Sequence, residues 1–313
     1  MVPTLESIRN AAGRIREYVH HTPIYTSAAL DKICGAKIYL KAENMQKAGA
    51  FKARGAVNAV MCLTEKEACN GVATHSSGNH AAALAYAARC RGIKAYVVMP
   101  ENAPAVKKAA VKSYGADIFY CEANEQAREA ALKNVVKQTG ATFIHPFNNY
   151  RVIEGQATAA LEMLHDVSSL EAIIAPVGGG GLLSGTALAA SYAATGIKVF
   201  GAEPQAADDA WQSLQEGRII PANNPETIAD GLRTSLGELT FAIIAKSVET
   251  IITVSEEEII QAMRLIWERA KLVVEPSAAV ALAAVTSSRH KIDAGSIGLI
   301  ISGGNVDLDN LPW

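Results

Sequence analysis

The chain has 313 residues, half of them hydrophobic and 19% charged, enough apolar material for one large or two moderate domains. Its 29 basic residues nearly balance its 31 acidic ones, and the net charge of -2 with no basic block gives nucleic acid binding no electrostatic support. Cys34, Cys62, Cys69, Cys90 and Cys121 form no C-x-x-C pair, no basic-then-apolar start is present, and no apolar run reaches the ~20 residues a membrane span needs; the expectation is a soluble cytoplasmic protein with reduced thiols.

In chain order, apolar runs alternate with helical patterns nearly throughout, which predicts an α/β fold with parallel sheets. A strand is expected at Lys37-Ile38-Tyr39-Leu40, and a helix starts at Lys52 in Gly49-Ala50-Phe51-Lys52-Ala53-Arg54-Gly55-Ala56. From 71 to 148 the alternation is most regular. Strands at 71–74, 94–99, 117–121 and 142–144 are separated by helices over 81–89, 106–113 and 125–138. Further strands are expected at 172–177, 197–202, 250–254 and 297–301. Ser255-Glu256-Glu257-Glu258 forms a capping box for the next helix, and 217–240 reads as irregular connection. This divides the chain into a small domain, 71–148, and a large one made of 1–70 and 149–313. A cleft between two such units is where a small ligand sits.

Gly178, Gly179, Gly180 and Gly181 stand between the apolar run 172–177 and the helical start Leu182-Leu183-Ser184-Gly185. Residues without Cβ let the backbone approach a ligand, and at a helix N-terminus such a loop binds anions, phosphate above all. A P-loop needs Lys-Ser/Thr after its last glycine, where this chain has Leu182-Leu183. A dinucleotide fingerprint fits weakly: its last position falls on Leu183 or Ser184, although Glu203 lies about where a ribose-binding acid would. Pyridoxal phosphate is the third candidate and demands a lysine. Lys52 stands at a helix start, whose positive end combines with burial to favour the neutral amine. Ser76-Ser77-Gly78-Asn79-His80, between strand and helix, offers backbone donors for a substrate carboxylate, or an ordinary N-cap.

Together and in this order, the three segments resemble the serine racemase and threonine/serine dehydratase family of pyridoxal phosphate enzymes, fold type II, over about residues 5 to 310. The resemblance implies two open, mostly parallel twisted sheets flanked by helices, as in tryptophan synthase β-like enzymes, with the active site in the interdomain cleft. It implies that Lys52 carries the cofactor, that Phe51 lies beside its ring and that Asn79 bonds its phenolic oxygen. Gly178 to Gly181 and the Leu182 amide match the phosphate cup, and Ser302, in Ser302-Gly303-Gly304-Asn305, matches the hydroxyl facing the pyridine nitrogen. A hydroxyl partner does not hold that nitrogen protonated, which suits elimination or racemisation better than transamination. Ser76, Ser77, Gly78, Asn79 and His80 match the substrate loop, and Arg128 matches a racemase-like arginine near the substrate end of the small domain.

In this family the lysine takes the α-proton of an L-amino acid and a β-hydroxyl leaves, giving a 2-oxo acid and ammonia. The expectation is an ammonia-lyase for L-serine- or L-threonine-like substrates. Ser77, where typical dehydratases carry alanine, resembles the racemases and offers a base on the face opposite Lys52, so serine racemase is an alternative, as is threo-3-hydroxyaspartate ammonia-lyase. The stretch from Glu203 to Asp209 resembles the cation loop of the racemase branch, in which Glu203, the Ala207 carbonyl and Asp209 would bind Mg²⁺, Ca²⁺ or Mn²⁺. Ala48 and Ala50 replace the family's usual Thr and Ser, and Phe147 replaces the small amide of animal racemases. A cysteine-synthase-type transferase usually reads Thr-Ser-Gly-Asn-Thr at 76–80, and a nucleotide-binding α/β protein without pyridoxal phosphate leaves Lys52, Asn79 and Ser302 unexplained. The resemblance further implies a homodimer and, with the chain ending at Trp313, no isoleucine-sensing regulatory domain.

Overall fold

The computed structural model describes residues 1–193, 196–287 and 292–313. Its strands are β1 (Ile24–Thr26), β2 (Lys37–Ala42), β3 (Val72–His75), β4 (Ala95–Pro100), β5 (Asp117–Cys121), β6 (Thr142–Phe143), β7 (Ala172–Pro176), β8 (Lys198–Pro204), β9 (Thr250–Val254) and β10 (Ser296–Ile301). They form a six-stranded sheet in the order β1-β2-β10-β7-β8-β9 and a four-stranded sheet in the order β5-β4-β3-β6. Every pairing is parallel except that of β1 with β2. The expected fold class is therefore observed. β1 was not expected: three residues after Pro23 are too few to show an alternation. The stretch read as irregular contains the turn Asp230–Leu232, and the helix Glu238–Ser247 begins within it.

Parallel strands need long return connections, so helices cover both faces and the strands are apolar along their length. β7 and β10 are buried throughout. Successive side chains still alternate between two cores. Ile174, Ile252 and Leu299 pack with the helices Glu256–Leu265 and Pro276–Thr286, whereas Ile173, Ile251 and Ile300 pack with Tyr150–Asp166 and Gly181–Ala193. The small sheet repeats the plan. Val97 and Met99 meet Ala81 and Ala85 of the helix Asn79–Arg91, while Val98 meets Leu132 and Val135 of Glu125–Thr139. Ala83, Leu84 and Ala87 of the helix Asn79–Arg91 also pack against Val57 and Val60 of the helix Lys52–Met61, which joins the two sheets.

Every polar segment singled out above leaves the carboxyl end of a parallel strand. β2 leads to Lys52, β3 to Ser76–His80, β7 to the glycine run, β8 to Glu203–Asp209 and β10 to Ser302. Ligands of open α/β sheets bind at that edge. A buried charge network holds it. Arg54 Nε and Nη2 donate to the two Glu43 oxygens at 2.7 and 2.8 Å, Arg54 Nη1 to Glu162 Oε1 at 2.6 Å, and Lys41 Nζ to Glu162 Oε2 at 2.7 Å. Burial opposes the Arg54 charge, but Glu43 and Glu162 outweigh it and raise the guanidinium further. Beside this network a Cβ on Gly155 would stand 2.5 Å from the Arg54 carbonyl, so glycine is what lets the helix Tyr150–Asp166 touch Lys52–Met61 backbone to backbone. Among the described residues no helix is long and apolar enough to cross a membrane.

Candidate active site

The chain past β10 turns back along the loop that precedes Lys52. The Phe51 N–H donates to the Ser302 carbonyl at 3.0 Å, Ala50 bridges Gly303, and the Gly304 N–H donates to the Gly49 carbonyl at 2.9 Å. Ala48 and Gly49 are both left-handed, with φ of 56° and 69°. That costs Ala48 about 1 kcal/mol, and Asn305 Nδ2 braces it by donating to the Ala48 carbonyl at 2.8 Å. Asn305 Nδ2 also donates to Asn79 Oδ1 at 2.9 Å, which ties the start of the helix Asn79–Arg91 to the same edge. Lys52, Asn79 and Ser302 are thereby drawn into one cluster from three distant parts of the chain.

The glycine run lies against the same cluster. Lys52 Nζ donates to the Pro146 carbonyl at 3.1 Å, and the neighbouring Phe147 ring fills the space that a Cβ on Gly179 would need, while a Cβ on Gly181 would meet the Phe147 Cβ at 3.1 Å. On the other side a Cβ on Gly178 would come within 3.0 Å of the Gly231 carbonyl. Gly180, at φ 85°, completes the turn into the helix Gly181–Ala193. The first N–H groups of that helix have no carbonyl within it and carry the positive end of its dipole. The loop is an anion seat closed on two sides.

Burial pulls the Lys52 ammonium down to about 8, although the Glu275 carboxylate works the other way. The neighbouring histidines add no positive charge. His145 Nδ1 accepts from the Phe147 and Asn148 N–H groups at 3.3 and 2.9 Å, and burial, His75 and Lys52 lower it to about 4. His80 Nε2 faces the Ile144 carbonyl at 3.4 Å, and burial with the Lys52 charge keeps it far below its ordinary value. Glu275 was not among the residues expected from sequence. It is 3% exposed and accepts from Asn79 Nδ2 on both oxygens, at 2.8 and 3.1 Å. An acid set between Leu272-Val273-Val274 and a proline-initiated helix was the available signal.

The remaining residues fall into two groups. Ser76 Oγ accepts from the Gly78 N–H at 3.2 Å and shapes the loop, while Ser77 is half-buried beside it. Arg128, half-buried on the helix Glu125–Thr139, makes no ion pair or side-chain hydrogen bond among the described residues, and its charge adds to burial in lowering the proton affinity of half-buried His75. His75 in turn meets His145 edge-on at 6.3 Å, so Arg128 looks toward the cluster through two rings. Glu203, Ala207 and Asp209 lie elsewhere on the carboxyl edge, and among the described residues no hydrogen bond or ion pair joins them to Lys52. Glu203 Oε1 accepts from the Trp211 N–H at 2.6 Å, whereas Asp209 Oδ2 is buried with no partner. Burial first, then neighbouring carboxylates, raise Glu203 well above the usual range and Asp209 to about 7. The loop borders a cavity of about 680 Å³ lined by Ala207, Asp208, Asp209 and Gln212. No three His, Cys, Asp or Glu side chains converge as a metal site among the described residues.

This arrangement fits pyridoxal phosphate. A glycine-walled seat at a helix start would take the phosphate, an amine of lowered basicity is at hand in Lys52, and a clamped amide and a buried hydroxyl complete the edge. The family model described as pyridoxal-phosphate dependent enzyme matches residues 15–303. A serine racemase of Dictyostelium discoideum is 49% identical over 98% of this chain and 96% of its own length. A beta-hydroxyaspartate dehydratase of Paracoccus denitrificans is 47% identical over 100% and 99%. The structure of maize serine racemase superposes with a TM-score of 0.97 at 46% identity, covering 99% of this chain and 95% of that one.

A titration follows from the Lys52 environment. With the ammonium lowered from 10.5 to about 8, the neutral amine makes up about a tenth of the population at pH 7 and about nine tenths at pH 9. The rate at which apoenzyme captures pyridoxal phosphate, followed by stopped-flow absorbance, is expected to rise with pH and level off above about 8. An inflection near 10.5 would contradict the geometry.

Proposed function

The chain belongs to the pyridoxal-phosphate-dependent enzyme family, and we propose that it is an ammonia-lyase for L-β-hydroxy amino acids, with preference for those carrying a second carboxylate. The observation that carries this reading is the Lys52 amine, lowered to about 8 and set between the glycine run and the Asn79–Ser302 edge. When bound, pyridoxal phosphate supplies the electron sink that makes the α-proton acidic. Lys52 anchors that group and, as a neutral amine, takes the α-proton. The N–H groups of Gly178 to Leu182 would hold the phosphate, with Phe51 beside the ring. Asn79 Nδ2 donates to Glu275 and would use its other hydrogen for the phenolic oxygen. Ser302 would meet the pyridine nitrogen as a hydroxyl, a partner that does not hold that nitrogen protonated. The N–H groups of Ser76 to His80 bind the substrate α-carboxylate at a helix entry. Loss of the β-hydroxyl as water, then hydrolysis, gives a 2-oxo acid and ammonia.

Arg128 favours the dicarboxylic substrate. A half-buried guanidinium with no carboxylate partner among the described residues is one that a ligand carboxylate would satisfy. The Paracoccus relative is named for beta-hydroxyaspartate, which has that second carboxylate. Racemisation is a second reading, supported by Ser77 and by the racemases among the relatives. A hydroxyl on the opposite face returns a proton there and inverts the α-carbon. Glu203, Asp209 and the Ala207 carbonyl fit a divalent cation, since an ion would satisfy the orphaned Asp209 Oδ2 and offset the mutual repulsion of the two acids.

Arg128→Gln is expected to lower kcat/KM for L-threo-3-hydroxyaspartate by about 10- to 100-fold, as loss of a charged hydrogen bond does, while L-serine changes by less than about twofold. Equal losses on both substrates would remove Arg128 from substrate recognition. In Ser77→Ala, chiral chromatography should find D-serine formation lost while 2-oxo acid continues to appear; D-serine at the wild-type rate would clear Ser77 of any proton role. Mg²⁺ or Ca²⁺ should raise the melting temperature of the wild type but not of Asp209→Asn, and no rise in the wild type means no cation site.

A further inference from the structure

Three charged groups between the substrate loop and the glycine run have no part in the reaction as derived: Lys107, Asp230 and the buried Glu275. Lys107 stands on the helix Ala105–Ser113 beside the small sheet, and its ammonium pairs with the Asp230 carboxylate of the other unit. Its stem runs past the substrate loop, where a Cβ on Gly78 would meet Lys107 Cδ and Nζ at 3.4 Å. Asp230 opens the turn Asp230–Leu232 that walls Gly178. The Gly231 N–H of this turn donates at 3.0 Å to Ser277 Oγ, in the first turn of the helix that Glu275 caps. The Glu275 N–H donates to the Gly303 carbonyl at 3.1 Å. The turn, the glycine run and Glu275 are thus one continuous edge, and Lys107 is the group that arrives from across the cleft.

We propose that Glu275 is a positioning residue whose carboxylate aims the Asn79 amide at the cofactor, and that Lys107, docked on Asp230, supports the charged form of that carboxylate. This rests on the reading of the site as a pyridoxal phosphate site. The Asn79 amide is clamped at both ends: Asn305 Nδ2 donates to its oxygen, and its nitrogen donates to Glu275. Flipping it would set two donors face to face and a carbonyl against a carboxylate. The Asn305 backbone N–H also donates to Glu275, so the carboxylate has acceptor work on both oxygens. A proton on either one puts a donor where an acceptor is needed.

The groups facing Glu275 are Asn79 from the helix Asn79–Arg91, Lys52 from Lys52–Met61, Lys107 from Ala105–Ser113 and Asp230 from the turn beside it. Burial raises Glu275 to about 7; Lys107 opposes that rise and Asp230 adds to it. Without the Lys107 charge the Asp230 carboxylate would be left unpaired, and both changes push Glu275 toward its neutral form near physiological pH.

The test is a pH titration of visible absorbance in holoenzyme without substrate, for wild type, Glu275→Gln and Lys107→Gln, with cofactor affinity measured alongside. The wild-type band should shift with an inflection near 7. Glu275→Gln should lose the inflection and bind pyridoxal phosphate about tenfold more weakly, as the loss of one charged hydrogen bond does. Lys107→Gln should keep the band and move the inflection upward, and it carries the test if Glu275→Gln does not fold. An inflection that survives Glu275→Gln, or one that Lys107→Gln leaves in place, overturns this proposal alone. A wild type with no visible band overturns the cofactor reading together with it.

Discussion

The position of Lys52 depends on Arg54. A fully buried guanidinium is tolerated only when every one of its donors is met, because the desolvation cost of an unpaired charge exceeds most of what packing contributes. Arg54 meets that condition with Glu43 just past β2 and with Glu162 and Thr158 on the helix Tyr150–Asp166, and Lys41 completes Glu162 from β2 itself. Three elements are locked to one point. Lys52 is two residues upstream on the same helix, so the amine inherits this rigidity without taking part in the network. Gly55 and Gly155 allow the close helix contact that the network requires.

Around that fixed point the cleft is arranged by charge. The histidines nearest Lys52 are held neutral by burial, which lowers the field at the amine and leaves its basicity to desolvation and Glu275. The groups able to attract anions are the helix start at Gly181, the loop Ser76–His80 and Arg128, which has no ion pair among the described residues. A phosphate and two carboxylates are the charges that the proposed reading brings to them. The acidic pair Glu203 and Asp209 stands apart on the same sheet edge, where its negative charge does not compete with them.

Much of this was legible in the residues. Apolar runs marked β2 to β10, most plainly β7 and β10, because central parallel strands buried on both faces carry uninterrupted hydrophobic segments. The glycine run and the loop Ser76–His80 stood out because close backbone approach and helix entry restrict composition locally. β1 escaped because it is short and pairs at an edge. Glu275, the Pro146 carbonyl and the Lys107–Asp230 pair escaped for another reason: each acts through a partner far away in the chain, and no local pattern encodes such a meeting.

The sequence by itself determined the α/β alternation, the Cβ-free run Gly178 to Gly181 at a helix start and the resemblance to pyridoxal phosphate enzymes. These rest on short-range properties: periodicity, the absence of a Cβ, and the electrostatics of a helix start. Only the tertiary structure decided that Asn79 is clamped between Asn305 and Glu275, that Phe147 closes the glycine loop, and that Lys52 is lowered to about 8. Those are properties of burial and of contacts between segments tens to hundreds of residues apart, and they exist only once the two sheets have brought their carboxyl edges together.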